Sequence, residues 1–307
     1  MRTRRVTWGV VALALSLLWT GCNKPVQHQR AAGYTQYSAI EGQKNSTNCL
    51  YGVPAKEAGW SHGPTRLVIR EGYALEHSSL DKIPLWVCEH IESGHIKGPA
   101  ERADFKPDPD LPHGERAELA DYRNSGYDKG HQAPAADFKY NQKRMDECFY
   151  LSNMVPQVGL NFNQSAWRVL EGRVRDCVAE RGEAYVITGA MIWDPKEDVE
   201  TTATGRTGYY TIGANEVAIP THLYKIVVSK SASGTWEAVA FVMENKEYPR
   251  YKDSQYDFMP YVKSIDWIRQ RTGFKFMPQL DTQDPNLQKR LESEPASELW
   301  PCLQAEQ

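Results

Sequence analysis

Short runs of apolar residues, separated by turn residues, dominate the chain between residues 49 and 279. Runs of this length are typical of β-strands, whether apolar and polar residues alternate in them or apolar residues are continuous. The predicted strands cover residues 66–70, 73–77, 84–91, 184–192, 221–228 and 236–243. Gly72 and the Ser78-Ser79 pair separate the first three runs, which predicts an antiparallel meander.

Two segments have the helical period instead. In residues 163–180 the apolar side chains fall on one face of a predicted helix, which ends at Gly182. A second helix is predicted at residues 261–272, and it ends at Gly273. Strands segregated from a few helices favour an α+β fold, mainly an antiparallel sheet with flanking helices. The proline-rich stretch 97–129 predicts a long loop, a feature that is often functional in compact domains. The polar tail after residue 279 is expected to wrap over the surface.

The N-terminus has the pattern of a bacterial export signal. Three arginines precede an apolar run at residues 10–19, which is about half the roughly 20 residues that span a bilayer. A lipobox-like sequence ends at Cys22 and predicts lipid attachment there, with soluble export as the alternative. We expect a signal at 1–21, a polar tether at 22–48 and a single domain at 49–307. The expected location is the bacterial cell envelope, periplasmic or lipid-anchored, or outside the cell.

Charge and cysteine content narrow the chemistry. The chain has 36 basic and 39 acidic residues, and loss of residues 1–21 would remove three arginines and no acid. Contact with nucleic acid must then come from a local basic patch, because the whole chain is acidic. Five cysteines follow Cys22, and their spacing excludes CxxC redox and zinc-ribbon sites. In an oxidising compartment we expect one or two disulfides and at least one free thiol.

The densest chemistry lies in residues 127–134, Tyr-Asp-Lys-Gly-His-Gln-Ala-Pro. The sequence contains no GxxxxGK, HExxH or GxSxG motif, which excludes P-loop NTPases, zincins and α/β-hydrolases. In this stretch the chain can bend at Gly130, while Asp128 or a backbone carbonyl orients the imidazole of His131. Lys129 can attract an anion.

Three ordered motifs carry a resemblance to a known family: residues 127–134, residues 150–157, and a helix that Asn163 opens and on which Glu171 lies two turns further. Together they resemble the DNA/RNA non-specific endonucleases of the ββα-metal superfamily, which include secreted bacterial nucleases and mitochondrial endonuclease G. Weaker likeness extends over about residues 52–280. The resemblance implies a ββα-metal nuclease fold. It also implies Mg²⁺-dependent hydrolysis of phosphodiester bonds in DNA and RNA with little sequence specificity.

The resemblance also implies residue roles. His131 would be the general base that activates water, and Asn163 would be the side-chain ligand of a single Mg²⁺, for which Mn²⁺ is a substitute. Glu171 would be the carboxylate that holds metal-bound water. Arg102 resembles the family's distant phosphate-binding arginine, and Asn153 resembles its supporting active-site asparagine.

Lys129 departs from the family pattern, in which arginine usually stands between the acid and the glycine. Lysine keeps the positive charge but loses the two-donor geometry that fits phosphate. We therefore expect a weaker phosphate grip and the same reaction class. The candidates for the basic patch are Lys97, Arg102, Lys129, Lys139, Lys143, Arg144 and Arg168.

The chemistry of phosphodiester hydrolysis agrees with these roles. The negative substrate repels hydroxide, so the reaction needs a base and a cation. Imidazole has a pKa of about 6.5, and Mg²⁺ prefers oxygen ligands and keeps several waters. An α-helix would separate Asn163 and Glu171 by about 12 Å along its axis, so both are not expected to ligate one ion. Two alternatives stay open: a catalytically inactive nucleic-acid-binding relative and a structural envelope lipoprotein.

Overall fold

A computed structural model describes residues 25–26, 46–60, 62–194 and 208–305. The predicted signal at 1–21, the lipid site at Cys22 and almost all of the predicted tether lie outside the described residues. Within the described part of the chain, no helix is long and apolar enough to cross a membrane.

Strands supply most of the regular structure. They are β1 (Pro25–Val26), β2 (Ala55–Lys56), β3 (Thr65–Ile69), β4 (Tyr73–Ser78), β5 (Pro84–Glu92), β6 (Tyr127–His131), β7 (Met154–Val158), β8 (Glu183–Met191), β9 (Tyr209–Ile212), β10 (Val217–Ala218), β11 (His222–Lys230), β12 (Trp236–Glu244), β13 (Val262–Lys263) and β14 (Phe274–Lys275). All six strands predicted from the apolar pattern are present, with small shifts at their ends.

Among the described residues, the largest sheet has seven strands in the order β13-β12-β11-β8-β5-β4-β3. Every neighbouring pair in it is antiparallel. The first three long strands form the predicted meander. A separate antiparallel pair, β6 and β7, lies outside this sheet and places Gly130 opposite Val155.

The helices are α1 (Leu119–Tyr122), α2 (Gln142–Cys148), α3 (Arg168–Arg181), α4 (Ile265–Thr272), α5 (Leu280–Gln283) and α6 (Pro285–Glu292), and a π-helical segment (Gly159–Trp167) leads directly into α3. The predicted stops are confirmed at both glycines. Gly273 adopts φ 67°, a left-handed conformation that favours glycine, and it ends α4. At the other end of α4, the Ser264 side chain accepts a hydrogen bond from Trp267 N.

The sheet has an apolar core on each face. On one face, Val186, Leu223 and Val227 pack with the apolar side of α3, including Leu170 and Val174. The opposite core contains apolar residues of β5 and β11 together with the apolar sides of α4 and α6. Strands in the middle of the sheet are therefore covered on both sides, and the predicted α+β fold with an antiparallel sheet is confirmed.

Three expectations about local structure were wrong. Helical backbone begins at Gly159 and is π-helical as far as Trp167, and Phe162 and Trp167 are both fully buried there. The second predicted helix starts at Ile265, since residues 259–263 form a 3₁₀ turn and strand β13. The tail after residue 279 does not wrap over the surface. Leu287 and Leu291, spaced one helical turn apart in α6, are buried against the sheet.

One disulfide, Cys177–Cys302, links α3 to the C-terminal segment across 125 residues. Cys49, Cys88 and Cys148 are free and buried. Both observations agree with the expectation of one or two disulfides and a remaining thiol.

Candidate active site

The antiparallel pair of strands β6 and β7 carries the central motif. It pairs His131 with Met154 and Lys129 with Pro156. Gly130 lies within a strand, so the expected bend there is not present. A Cβ atom at Gly130 would come within 1.6 Å of the Gln157 side chain, which is fully buried, so any larger residue would displace Gln157.

His131 is held by aromatic rings. Its ring centroid lies 4.9 Å from that of Phe149, edge to face, and 5.5 Å from that of Phe105. Burial, together with the positive charge of Arg102, lowers the pKa of His131 to about 3. The imidazole is therefore neutral near pH 7. Among the described residues, its buried Nε2 atom has no hydrogen-bond partner.

Asp128 orients the amide of Asn163 and not the imidazole. Asn163 Nδ2 donates to Asp128 Oδ2 at 2.9 Å, and Gln164 Nε2 donates to the same oxygen at 2.8 Å. An ionised carboxylate only accepts hydrogen bonds, so the amide nitrogen of Asn163 must face it. The Oδ1 atom of Asn163 is consequently turned away from Asp128 and is free to act as a ligand.

Glu171 lies in the first turn of α3, half-buried. Desolvation raises the pKa of Glu171 to about 7, and the neighbouring cations Lys225 and Arg175 act in the opposite direction. Arg175 follows one turn later and donates to Asp137 at 3.0 Å. Sequence reasoning missed Arg175, although its position four residues after Glu171 places both on one helix face.

Arg102 and Lys129 bring positive charge to the same place. The guanidinium of Arg102 lies 5.0 Å from the ring centroid of Phe149. The Lys129 ammonium lies 5.0 Å from the Phe105 centroid and 5.5 Å from that of Tyr122. Cation–π contacts of this kind hold both side chains beside His131.

Asn153 is fully buried and does not line the pocket. Its Oδ1 accepts from Ala133 N at 2.9 Å, and its Nδ2 donates to the carbonyls of Ala133 and Cys148, each at 2.9 Å. The Asn153 carbonyl accepts from Gln132 N. Asn153 therefore fixes the backbone that follows His131, which is a supporting position.

These residues surround a pocket of about 470 Å³. It brings together five of the six residues singled out from the sequence, namely Arg102, Lys129, His131, Asn163 and Glu171. Tyr127, Asp128, Arg168 and Arg175 also line it. Four cations and two carboxylates therefore face the same space, which favours an anionic ligand.

Only three of the seven basic-patch candidates line this pocket: Arg102, Lys129 and Arg168. Arg168 is also bound by both oxygens of Asp253, at 2.7 and 2.8 Å. Lys143 and Arg144 pair with Glu71.

The donor set fits a hydrated divalent ion. The described residues contain no group of three or more His, Cys, Asp or Glu side chains that could enclose a metal. The oriented Asn163 Oδ1 is a neutral oxygen ligand, and Mg²⁺ typically binds through one or two protein oxygens while keeping several waters. Asn163 could therefore hold the ion while the carboxylate of Glu171 accepts hydrogen bonds from water.

Comparisons with known proteins agree with this geometry. Residues 60–283 match the DNA/RNA non-specific endonuclease family. The chain is 36% identical over 227 residues to "Nuclease" of Syncephalastrum racemosum, covering 70% of this chain and 68% of that protein. It is 34% identical over 234 residues to human "Endonuclease G, mitochondrial", covering 75% and 73%. A chain in the crystal structure of the EndoG/EndoGI complex superposes with a TM-score of 0.67 at 31% identity, covering 84% of this chain and 96% of that one.

The predicted bacterial envelope location was wrong. Human endonuclease G, zebrafish nuclease EXOG and fission-yeast nuclease 1, which are similar to this chain, are all named as mitochondrial. Arginines in an acid-free N-terminal segment do not specify one destination, because organelle transit peptides are also rich in arginine and poor in acids.

The family match covers most of the chain, and its relatives share a third of their residues with it over that length. The fold and the pocket agree with the match. This chain belongs to the DNA/RNA non-specific endonuclease family.

Proposed function

We propose that this chain is a divalent-metal-dependent endonuclease that hydrolyses phosphodiester bonds in DNA and RNA with little sequence specificity. The convergence of His131, Asn163 and Glu171 on one pocket carries the proposal. Each comes from a different element: β6, the π-helical segment and α3.

His131 acts as the general base. Its neutral imidazole accepts a proton from the attacking water, and the rings of Phe105 and Phe149 keep it in place. Asn163 holds the metal through the oxygen that Asp128 leaves free. When bound, the metal supplies positive charge that stabilises the phosphoryl and leaving-group oxygens. We propose Mg²⁺ as this ion, with Mn²⁺ as a substitute.

Arg102, Lys129 and Arg175 hold the substrate by its phosphates and form the local basic patch. All three line the pocket, and all three are basic residues. Phosphate contacts fix the position of a nucleic acid without reading its bases. Cleavage is therefore expected to be indifferent to sequence.

A nicking assay tests the proposal. Supercoiled plasmid and a structured RNA are incubated with the protein in Mg²⁺ and, separately, in EDTA. We expect cleavage of both substrates only with the ion. Asn163→Ala should raise the Mg²⁺ concentration needed for half-maximal rate, whereas Asn161→Ala, a matched change in the same segment, should not. Cleavage that persists in EDTA would contradict the proposal.

A catalytically inactive relative gives a different result. It would shift DNA in a gel without nicking it at any metal concentration. The complete set of His131, Asn163 and Glu171 in one pocket favours the active enzyme.

A further inference from the structure

A group of charged side chains is buried in the wall behind the pocket. Lys225 on β11 and Glu89 on β5 are each 1% exposed, and Asp137 is 4% exposed. Charges withdrawn from water must be paired or neutralised, because their desolvation is costly. Neither the general base nor the ion ligand of the proposed reaction is among them.

The Lys225 ammonium points toward α3. In the sheet register Lys225 lies opposite Thr188 on β8, and its Nζ donates to Thr188 Oγ1 at 2.6 Å. The same Nζ lies 5.3 Å from the ring centroid of Trp167. Glu171 is four residues after Trp167, one turn further on the same side. Lys225 is therefore near enough for its charge to act on the Glu171 carboxyl group, whose pKa it lowers.

Two cations, Lys225 and Arg175, face three carboxyl groups. Their charges balance if one of these carboxyl groups is neutral. Asp137 is paired with Arg175 at 3.0 Å. Glu89 has a buried Oε2 without a hydrogen-bond partner in the described part of the chain. Burial and the nearby Asp137 raise the pKa of Glu89 well above its usual value, which favours its neutral form. Lys225 is then the remaining cation for the carboxylate of Glu171.

We propose that Lys225, held by Thr188, is a positioning residue that keeps the Glu171 carboxyl group oriented toward the pocket. The inference rests on the proposed endonuclease activity, in which Glu171 receives hydrogen bonds from water. Lys225 itself does not line the pocket. It acts on the reaction only through Glu171.

A double-mutant cycle tests this positioning role. Lys225→Met should lower kcat by roughly tenfold to a hundredfold with little change in KM, because displacement of a reacting group has effects of this size. In a Glu171→Gln background the same substitution should have almost no further effect, since the group that it positions is already gone. A merely structural loss would lower activity equally in both backgrounds.

Three further variants complete the experiment. Lys230→Met, at the solvent-exposed end of the same strand, should keep wild-type activity. Glu89→Gln should also keep it, because an amide replaces a neutral acid. Thr188→Val removes only the hydrogen-bond acceptor of Lys225 and should give a smaller fall in kcat of the same kind. It tests the inference even if Lys225→Met does not fold, as judged by its melting temperature.

The outcomes separate the two proposals. A wild-type protein without nuclease activity would overturn the proposed function itself. An active wild type with full activity in folded Lys225→Met or Thr188→Val would overturn only the role of Lys225. An equal fall in the wild-type and Glu171→Gln backgrounds would do the same, as would a large loss in Glu89→Gln, which would make Glu89 the partner of Lys225.

Discussion

Replacing Asp128 with asparagine tests how the proposed metal ligand is oriented. Asp128 Oδ2 accepts hydrogen bonds from Asn163 at 2.9 Å and from Gln164 at 2.8 Å. In Asp128→Asn the oxygen that accepts both hydrogen bonds becomes neutral, and the new amide can also present its nitrogen. The Asn163 amide is then free to turn its nitrogen, which cannot bind a cation, toward the pocket.

The size of the effect follows from these two hydrogen bonds. A hydrogen bond to a charged group stabilises by about 1.5–3 kcal/mol, against about 0.5–1.5 kcal/mol for a neutral one. Only the hydrogen bond from Asn163 affects the metal ligand. Asp128→Asn should therefore weaken the preference of the Asn163 amide for its ligating orientation by roughly 1–1.5 kcal/mol. Since 1.4 kcal/mol corresponds to a factor of ten, Mg²⁺ binding should weaken about tenfold. Loss of a residue that orients a metal ligand typically costs about 10–100-fold in affinity.

The assay is the Mg²⁺ concentration at half-maximal plasmid nicking, together with calorimetric titration of Mn²⁺. Gln164→Ala is the matched control, because it removes the other hydrogen bond to Asp128 Oδ2 and leaves that of Asn163 in place. We expect Gln164→Ala to change the half-saturating Mg²⁺ concentration less than about twofold. Equal metal affinity in Asp128→Asn and wild type would refute the reasoning, and so would equal weakening in both variants.

The remaining predictions concern the base, the phosphate contact and stability. His131→Ala should lower kcat by roughly 10²–10⁴ while a gel-shift assay shows unchanged DNA affinity, and near-wild-type cleavage by the folded variant would rule out its role as base. Lys129→Arg should preserve or raise activity. Lys129→Ala should weaken DNA binding and reduce its salt dependence by about one phosphate contact. Identical salt slopes for wild type and Lys129→Ala would show that this residue does not hold substrate. Cys302→Ser should reduce the free energy of unfolding by about 2–5 kcal/mol in urea denaturation, because the disulfide closes a loop of 125 residues, and an unchanged midpoint would contradict this. Burial lowers the pKa of His77 to about 4, so the unfolded state binds more protons than the folded state between pH 6.5 and 4. The free energy of unfolding should therefore fall as the pH decreases through this range, and His77 should account for roughly 3 kcal/mol of the loss. His77→Leu should remove part of this pH dependence of stability.

Most of the regular structure was predictable because periodicity is a local property of the chain. The apolar run at 84–91 became β5 (Pro84–Glu92), and the run at 236–243 became β12 (Trp236–Glu244). Gly182 and Gly273 ended their helices as expected. The π-helical start before Trp167 was not predicted, since a π-helical segment has no apolar pattern that separates it from an α-helix.

The residue types of the candidate site were also readable from three short motifs, whereas their partners were not. Asp128 precedes His131 in sequence, yet it binds Asn163, which is 35 residues away. Nothing in the local pattern of β11 connects Lys225 with Glu171, because these residues come near each other only when α3 packs on the sheet. Local sequence determines backbone preference and the side of an element that is buried. Which polar atoms then face one another depends on how distant elements pack, and the need to pair each buried charge makes that choice specific.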